Sequence, residues 1–86
     1  MRTYESDIKA LAAGGFLRDG WYAMDRDGEF SWFLAKPEIQ VSGYWMASIH
    51  DCLGQNYERI RFAIILTPAP DWRTSLLQVR DGKVVE

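Results

Sequence analysis

The stretch Trp21–Ile39, WYAMDRDGEFSWFLAKPEI, decides the fold because strand-like aromatic runs flank the tripeptide Arg26-Asp27-Gly28. An Asp-Gly pair between two such runs is typical of a β-hairpin. Two registers are open. A two-residue turn at Asp27-Gly28 pairs Ala23 with Trp32. A three-residue loop with Gly28 in the left-handed region pairs Tyr22 with Trp32 instead.

The three-residue loop is the preferred register because it separates the side chains into two distinct faces. One face is then wholly apolar and carries Tyr22, Met24, Phe30 and Trp32. The other face carries Trp21, Ala23, Ser31 and Phe33 together with Asp25 and Glu29. Cross-strand aromatic pairs stabilise a sheet, so we expect the first face to form a core.

A helix of about ten residues is predicted before the hairpin from apolar side chains at helical spacing. Its expected N-cap is Thr3 or Ser6, and the pair Gly14-Gly15 is its expected stop. Ile8 and Leu11 lie on one face of this helix. An isolated helix of this length is marginal in water, so we expect that face to pack on the apolar side of the sheet.

Further strands are predicted after the hairpin. Residues 44–49 are a candidate third strand, preceded by a connection over residues 38–43, and residues 57–66 alternate as a strand does. A second Arg-Asp-Gly tripeptide predicts a two-residue turn that pairs Val79 with Val84. Residues 71–79 are open to a second interpretation, a short initial helix capped by Asp71. The predicted fold is α+β: one domain, residues 1–86, with a short N-terminal helix on a four- or five-stranded antiparallel sheet.

Composition excludes several functional classes. The chain has 86 residues, a formal net charge of −2 and Lys and Arg dispersed among acids. Nucleic-acid binding is therefore disfavoured, since it needs clustered positive charge. The single cysteine excludes an internal disulfide, the first residues lack the apolar region of a signal peptide, and no apolar run is long enough to cross a membrane. A cytoplasmic protein is expected.

Few side chains are candidates for chemistry. His50 and Cys52 point to one side of an extended chain, as in a Cys–His nucleophile or a metal pair, but metal sites need three or four ligands. A loop His beside a half-buried Cys is the preferred interpretation. Asp25, Asp27 and Glu29 are spaced like calcium ligands, yet the later bidentate Glu of a calcium loop is missing. Turn chemistry accounts for them better, so we expect no metal, no cofactor and no enzyme activity.

The aromatic content, 14% of the chain, is the unusual feature of the sequence. Neighbouring rings on a strand point to opposite faces, and one short helix covers only one face of a sheet. We therefore expect Trp21 and Phe33 to form an exposed apolar patch with Asp25 and Glu29 as its polar rim. Trp45, whose neighbour is also aromatic, is a further candidate for binding.

The residues from Trp21 to Trp45, with W-Y-A-M-D-R-D-G, then A-K-P-E-I and G-Y-W, resemble a pattern in small proteins of bacteriophages and prophages. This resemblance implies a phage or mobile-element origin, and small proteins of that origin often bind a host protein, including CRISPR effectors. The expected function is therefore a protein-binding module with a host or phage partner. The alternatives are an assembly protein acting as a homodimer, and a carbohydrate- or small-ligand-binding module that uses exposed aromatic rings.

Overall fold

The computed structural model of the protein describes residues 3–39, 43–47, 58–62 and 66–85. Its fold is α+β, as predicted. The elements in chain order are helix α1 (Tyr4–Ala13), strands β1 (Gly20–Met24), β2 (Phe30–Phe33), β3 (Pro37–Ile39), β4 (Trp45–Ala47) and β5 (Arg59–Phe62), a short 3₁₀ helix (Trp72–Thr74), and strands β6 (Leu77–Arg80) and β7 (Lys83–Val85).

Within the described ranges, the main sheet has five strands in the order β5-β2-β1-β6-β7, and every neighbouring pair is antiparallel. Strands β3 and β4 form a separate two-stranded sheet. The candidate third strand therefore exists over residues 45–47, but its partner is β3 and not the main sheet. The expected connection over residues 38–43 is wrong in part, because residues 38 and 39 belong to β3.

Both ends of α1 are formed by the residues that the sequence indicates. At its start, the Thr3 hydroxyl accepts a hydrogen bond from the Ser6 amide at 3.0 Å, and the Ser6 hydroxyl accepts one from the Thr3 amide at 2.8 Å. This is a reciprocal capping box. At its end, Gly15 adopts a φ of 77°, and the next amide, that of Phe16, donates to the Leu11 carbonyl at 3.0 Å. That bond is the mark of a left-handed Schellman stop.

Helix α1 packs on the apolar face of the β1–β2 hairpin, as expected. The fully buried Ile8 contacts a cluster of large side chains on that face. Three rings in the cluster stack, with centroids 5.4 Å apart for Tyr22 and Phe30 and 5.2 Å apart for Phe30 and Phe62. We call this cluster the helix-side core; its buried members are Tyr4, Ile8, Ala12, Leu17, Tyr22, Met24, Phe30, Trp32, Leu66 and Val79.

The pKa values of two tyrosines in the helix-side core indicate how the stability of the fold changes at high pH. Burial raises the pKa of Tyr22 from 10.0 to about 12 and raises the pKa of Tyr4 well above its usual value. Both phenols therefore stay protonated in the folded chain when those of the unfolded chain ionise. We expect their contribution to stability to be complete below pH 10 and to fall as the pH rises above 10, with the part due to Tyr22 lost by about pH 12.

Denaturant unfolding across this pH range tests the expectation, with a Tyr4→Phe, Tyr22→Phe double variant as the comparison. The variant is expected to be less stable at neutral pH, because Tyr4 donates to the Ser75 carbonyl at 2.7 Å, but to lose less stability at high pH. Equal losses in the two proteins would contradict the assignment to these tyrosines.

The β1–β2 hairpin has the preferred register. Tyr22 pairs with Trp32 and Met24 pairs with Phe30. The connecting loop closes through the Gly28 amide, which donates to the Asp25 carbonyl at 2.9 Å, and Gly28 has a φ of 89°. The three-residue loop with a left-handed glycine is confirmed.

Gly28→Val is expected to lower the free energy of unfolding by about 1–2 kcal/mol through backbone strain. Among the described residues, no atom outside Gly28 and its two chain neighbours lies within 4 Å of the position that a Cβ would take there, so the cost comes from the φ angle and not from a collision. Gly28→Asn is the matched control, because Asn tolerates the left-handed region and should cost less. Equal stability of all three proteins in urea would argue against the turn.

The β6–β7 hairpin also follows its sequence signal. Val79 pairs with Val84, and the intervening Asp81 and Gly82 have φ angles of 53° and 76°. Two positive φ values in a two-residue loop are typical of a type I′ turn. The short helix predicted at Asp71 is present as well, since the Asp71 carboxylate accepts a hydrogen bond from the Arg73 amide at 3.0 Å.

Candidate functional site

The patch predicted around Trp21 and Phe33 is covered by the chain itself. The two residues are paired across β1 and β2, as expected, but Phe33 is only 1% exposed and Trp45 only 4%. Phe33 and Trp45 form a second core with Ala23, against which Trp21, Trp72 and Leu76 pack. We call this second cluster the arm-side core. The expectation of an uncovered face is therefore wrong for Phe33, and Trp45, the further binding candidate, is buried as well.

The cover consists of the β3–β4 hairpin and the segment that contains the 3₁₀ helix. Trp45 joins the two, because its indole N–H donates to the Trp72 carbonyl at 3.0 Å and the two rings meet edge to face at 6.4 Å. The hairpin is also tied to the β1–β2 loop, where the Arg26 amide donates to the Gly43 carbonyl at 2.9 Å. We call the β3–β4 hairpin the arm. Helix α1 covers one face of the sheet, and the arm covers part of the other.

The prediction of Asp25 as a rim residue is wrong, because this acid is buried and only 1% exposed. One carboxylate oxygen, Oδ1, accepts a hydrogen bond from the Trp45 amide at 2.8 Å. The other, Oδ2, accepts one from Nη2 of Arg59 on β5 at 3.0 Å. The same Arg59 nitrogen donates to the Ser31 hydroxyl at 3.2 Å, and its guanidinium lies 5.0 Å from the centre of the Phe33 ring. Asp25 thus joins the arm to the main sheet.

Glu29 is the predicted rim residue that stays exposed. It forms an ion pair with Arg61 at 3.2 Å between Oε2 and Nη1. Both side chains are solvent-exposed, so this pair adds little to stability. Trp21 is partly buried, and the Lys36 ammonium lies 5.6 Å from the centre of its ring.

The three acids considered as calcium ligands do come together, with carboxylate oxygens of Asp25, Asp27 and Glu29 within 4.8 Å of one another. Each already has a partner in the chain. The Asp27 carboxylate accepts a hydrogen bond from the Glu29 amide at 3.0 Å, and arginines on β5 pair with the other two. Turn and ion-pair contacts account for the arrangement. The predicted pair His50 and Cys52 lies outside the described residues.

The exposed apolar side chains concentrate in a different segment of the chain from the predicted one. Of the seven large apolar side chains that are exposed in the described ranges, four lie between residues 34 and 46. We call these four, Leu34, Ile39, Tyr44 and Met46, the arm surface; Tyr44 and Met46 share one side of the hairpin, whereas Ile39 is paired with Trp45 and lies on the other. Met46 is 49% exposed and pairs with Glu38, whose side chain is also exposed, on the side of the arm that faces away from Trp45.

The arm surface has one local signal in the sequence. Gly43, with a φ of 95°, is a recognisable turn residue between two short runs, and strand alternation then places Met46 opposite its neighbour Trp45. The predicted set includes the buried Trp45 but omits the exposed Met46. All four tryptophans of the chain are described, and none is among the exposed large side chains. This weakens the alternative of a carbohydrate site built on exposed Trp rings.

No protein-family model, curated protein or solved structure matches the chain. Within the described ranges, no helix has both the length and the apolar character needed to cross a membrane.

Proposed function

We propose that this chain is a small non-enzymatic protein-binding module and that the arm surface is its contact site. The observation that carries the proposal is the concentration of exposed apolar side chains on and beside one hairpin of a chain whose other large rings are mostly buried. Exposed apolar groups that gather in one region of a protein mark interaction sites. Tyr and Met, the two residues that flank Trp45, are enriched at protein interfaces.

The attachment of the arm supports this role. A two-stranded hairpin alone is marginal in water, and here the Asp25 carboxylate and the Trp72 carbonyl hold Trp45 from two sides. The exposed Tyr44 and Met46 adjoin that fixed residue. Side chains next to a buried anchor need less ordering on binding, which favours affinity.

We also propose a phage or mobile-element origin, with a host protein such as a CRISPR-type defence complex as the partner. This part of the proposal rests on the resemblance of residues 21–45 to small phage and prophage proteins. That stretch includes the whole of β3 and most of the arm surface.

Met46→Lys and Tyr44→Ser are each expected to weaken partner binding about tenfold or more, since interface Tyr and apolar anchors often contribute over 1.4 kcal/mol. Both side chains are exposed, so the free energy of unfolding should change by no more than about 0.5 kcal/mol. The partner is captured from lysate of a defence-competent host with the tagged wild-type chain and purified, and binding constants are then measured for each variant.

Phe16→Ser and Val85→Lys are the matched controls, because both residues are exposed, apolar and outside the arm. They should bind the partner as the wild type does. Normal binding by the arm variants, or equal losses in the controls, would overturn the assignment of the surface. If the wild type instead self-associates in sedimentation and Met46→Lys makes it monomeric, the arm surface is a homodimer contact.

The defence role has its own readout within the same variant set. Cells with an active CRISPR system should retain a targeted plasmid when they express the wild type or the controls, and should lose it with Met46→Lys. Loss of the plasmid with every protein would reject a defence partner and leave the binding surface to be judged by the affinity measurements.

A further inference from the structure

We draw no further inference here: the strongest candidate, the cavity of about 310 Å³ between the first turn of α1 and residues 69–77, rests on a helix N-terminus, and no second observation in the described part of the chain points to a ligand there.

Discussion

Trp32→Ala and Phe33→Ala are each expected to lower the free energy of unfolding by about 3–5 kcal/mol, the usual cost of removing a large buried ring. The two residues are neighbours on β2 and point to opposite faces of the sheet. Trp32 is fully buried in the helix-side core, and its indole N–H donates to the Asp19 carbonyl at 3.0 Å. Phe33 is buried beneath the arm. Because small domains have only about 5–15 kcal/mol of stability, either loss is severe.

Phe16→Ala is the control for both variants, since it removes an aromatic ring, the same ring as in Phe33→Ala, that is 76% exposed. Its effect should stay within about 0.5 kcal/mol. Calorimetric unfolding of the three variants distinguishes a sheet covered on both faces from one covered only by the helix. If Phe33→Ala is as mild as Phe16→Ala while Trp32→Ala is severe, the arm does not cover its face in solution.

Arg59→Met is expected to lower the free energy of unfolding by about 3 kcal/mol, since it leaves the buried carboxylate of Asp25 without its cation. The Asp25 side chain is 1% exposed, and the Arg59 side chain only 21%. Adding Asp25→Asn to this variant should restore part of the loss, about 1–2 kcal/mol, because the amide carries no charge and still accepts from Trp45. Urea unfolding of the two single variants and the double variant gives the coupling energy.

The matched control is Arg61→Met, which lies on the same strand and breaks the exposed pair with Glu29. Its expected cost is about 0–1 kcal/mol. Similar losses for the two arginine variants would show that burial does not distinguish the two pairs. A double variant no more stable than Arg59→Met would show that the charge of Asp25 is not the source of the loss.

The parts of the fold that the sequence predicts depend on neighbouring residues. The β1–β2 register follows from Gly28 and from the alternation of a few side chains around it, and the β6–β7 turn follows from Asp81-Gly82. The cap of α1 joins residues three positions apart. Local backbone geometry determines each of these features, the register, the turn and the cap, so the local sequence is enough to predict them.

The parts that the sequence does not predict depend on contacts between distant residues. Asp25 has the polarity of a rim residue, but its partners Trp45 and Arg59 are 20 and 34 positions away. Trp45 is buried because it meets Trp72, 27 positions later. Nothing in the local pattern shows that the chain returns to cover the second face. The predicted patch therefore falls on the face that these contacts bury.

The position of β1 in the sheet has a consequence for how the chain reaches this structure. Strand β1 lies between β2, which follows it directly, and β6. The Met24 amide at the end of β1 donates to the Ser75 hydroxyl, 51 residues later. Contacts across so long a loop are slow to form because the loop must close first. During synthesis, β1 and β2 leave the ribosome well before β6, and a β1 edge without its partner offers free backbone groups to other chains. Aggregation therefore competes with folding until the sheet is complete. The step that ends this competition is the pairing of β1 with β6, which belongs to the last hairpin of the described structure.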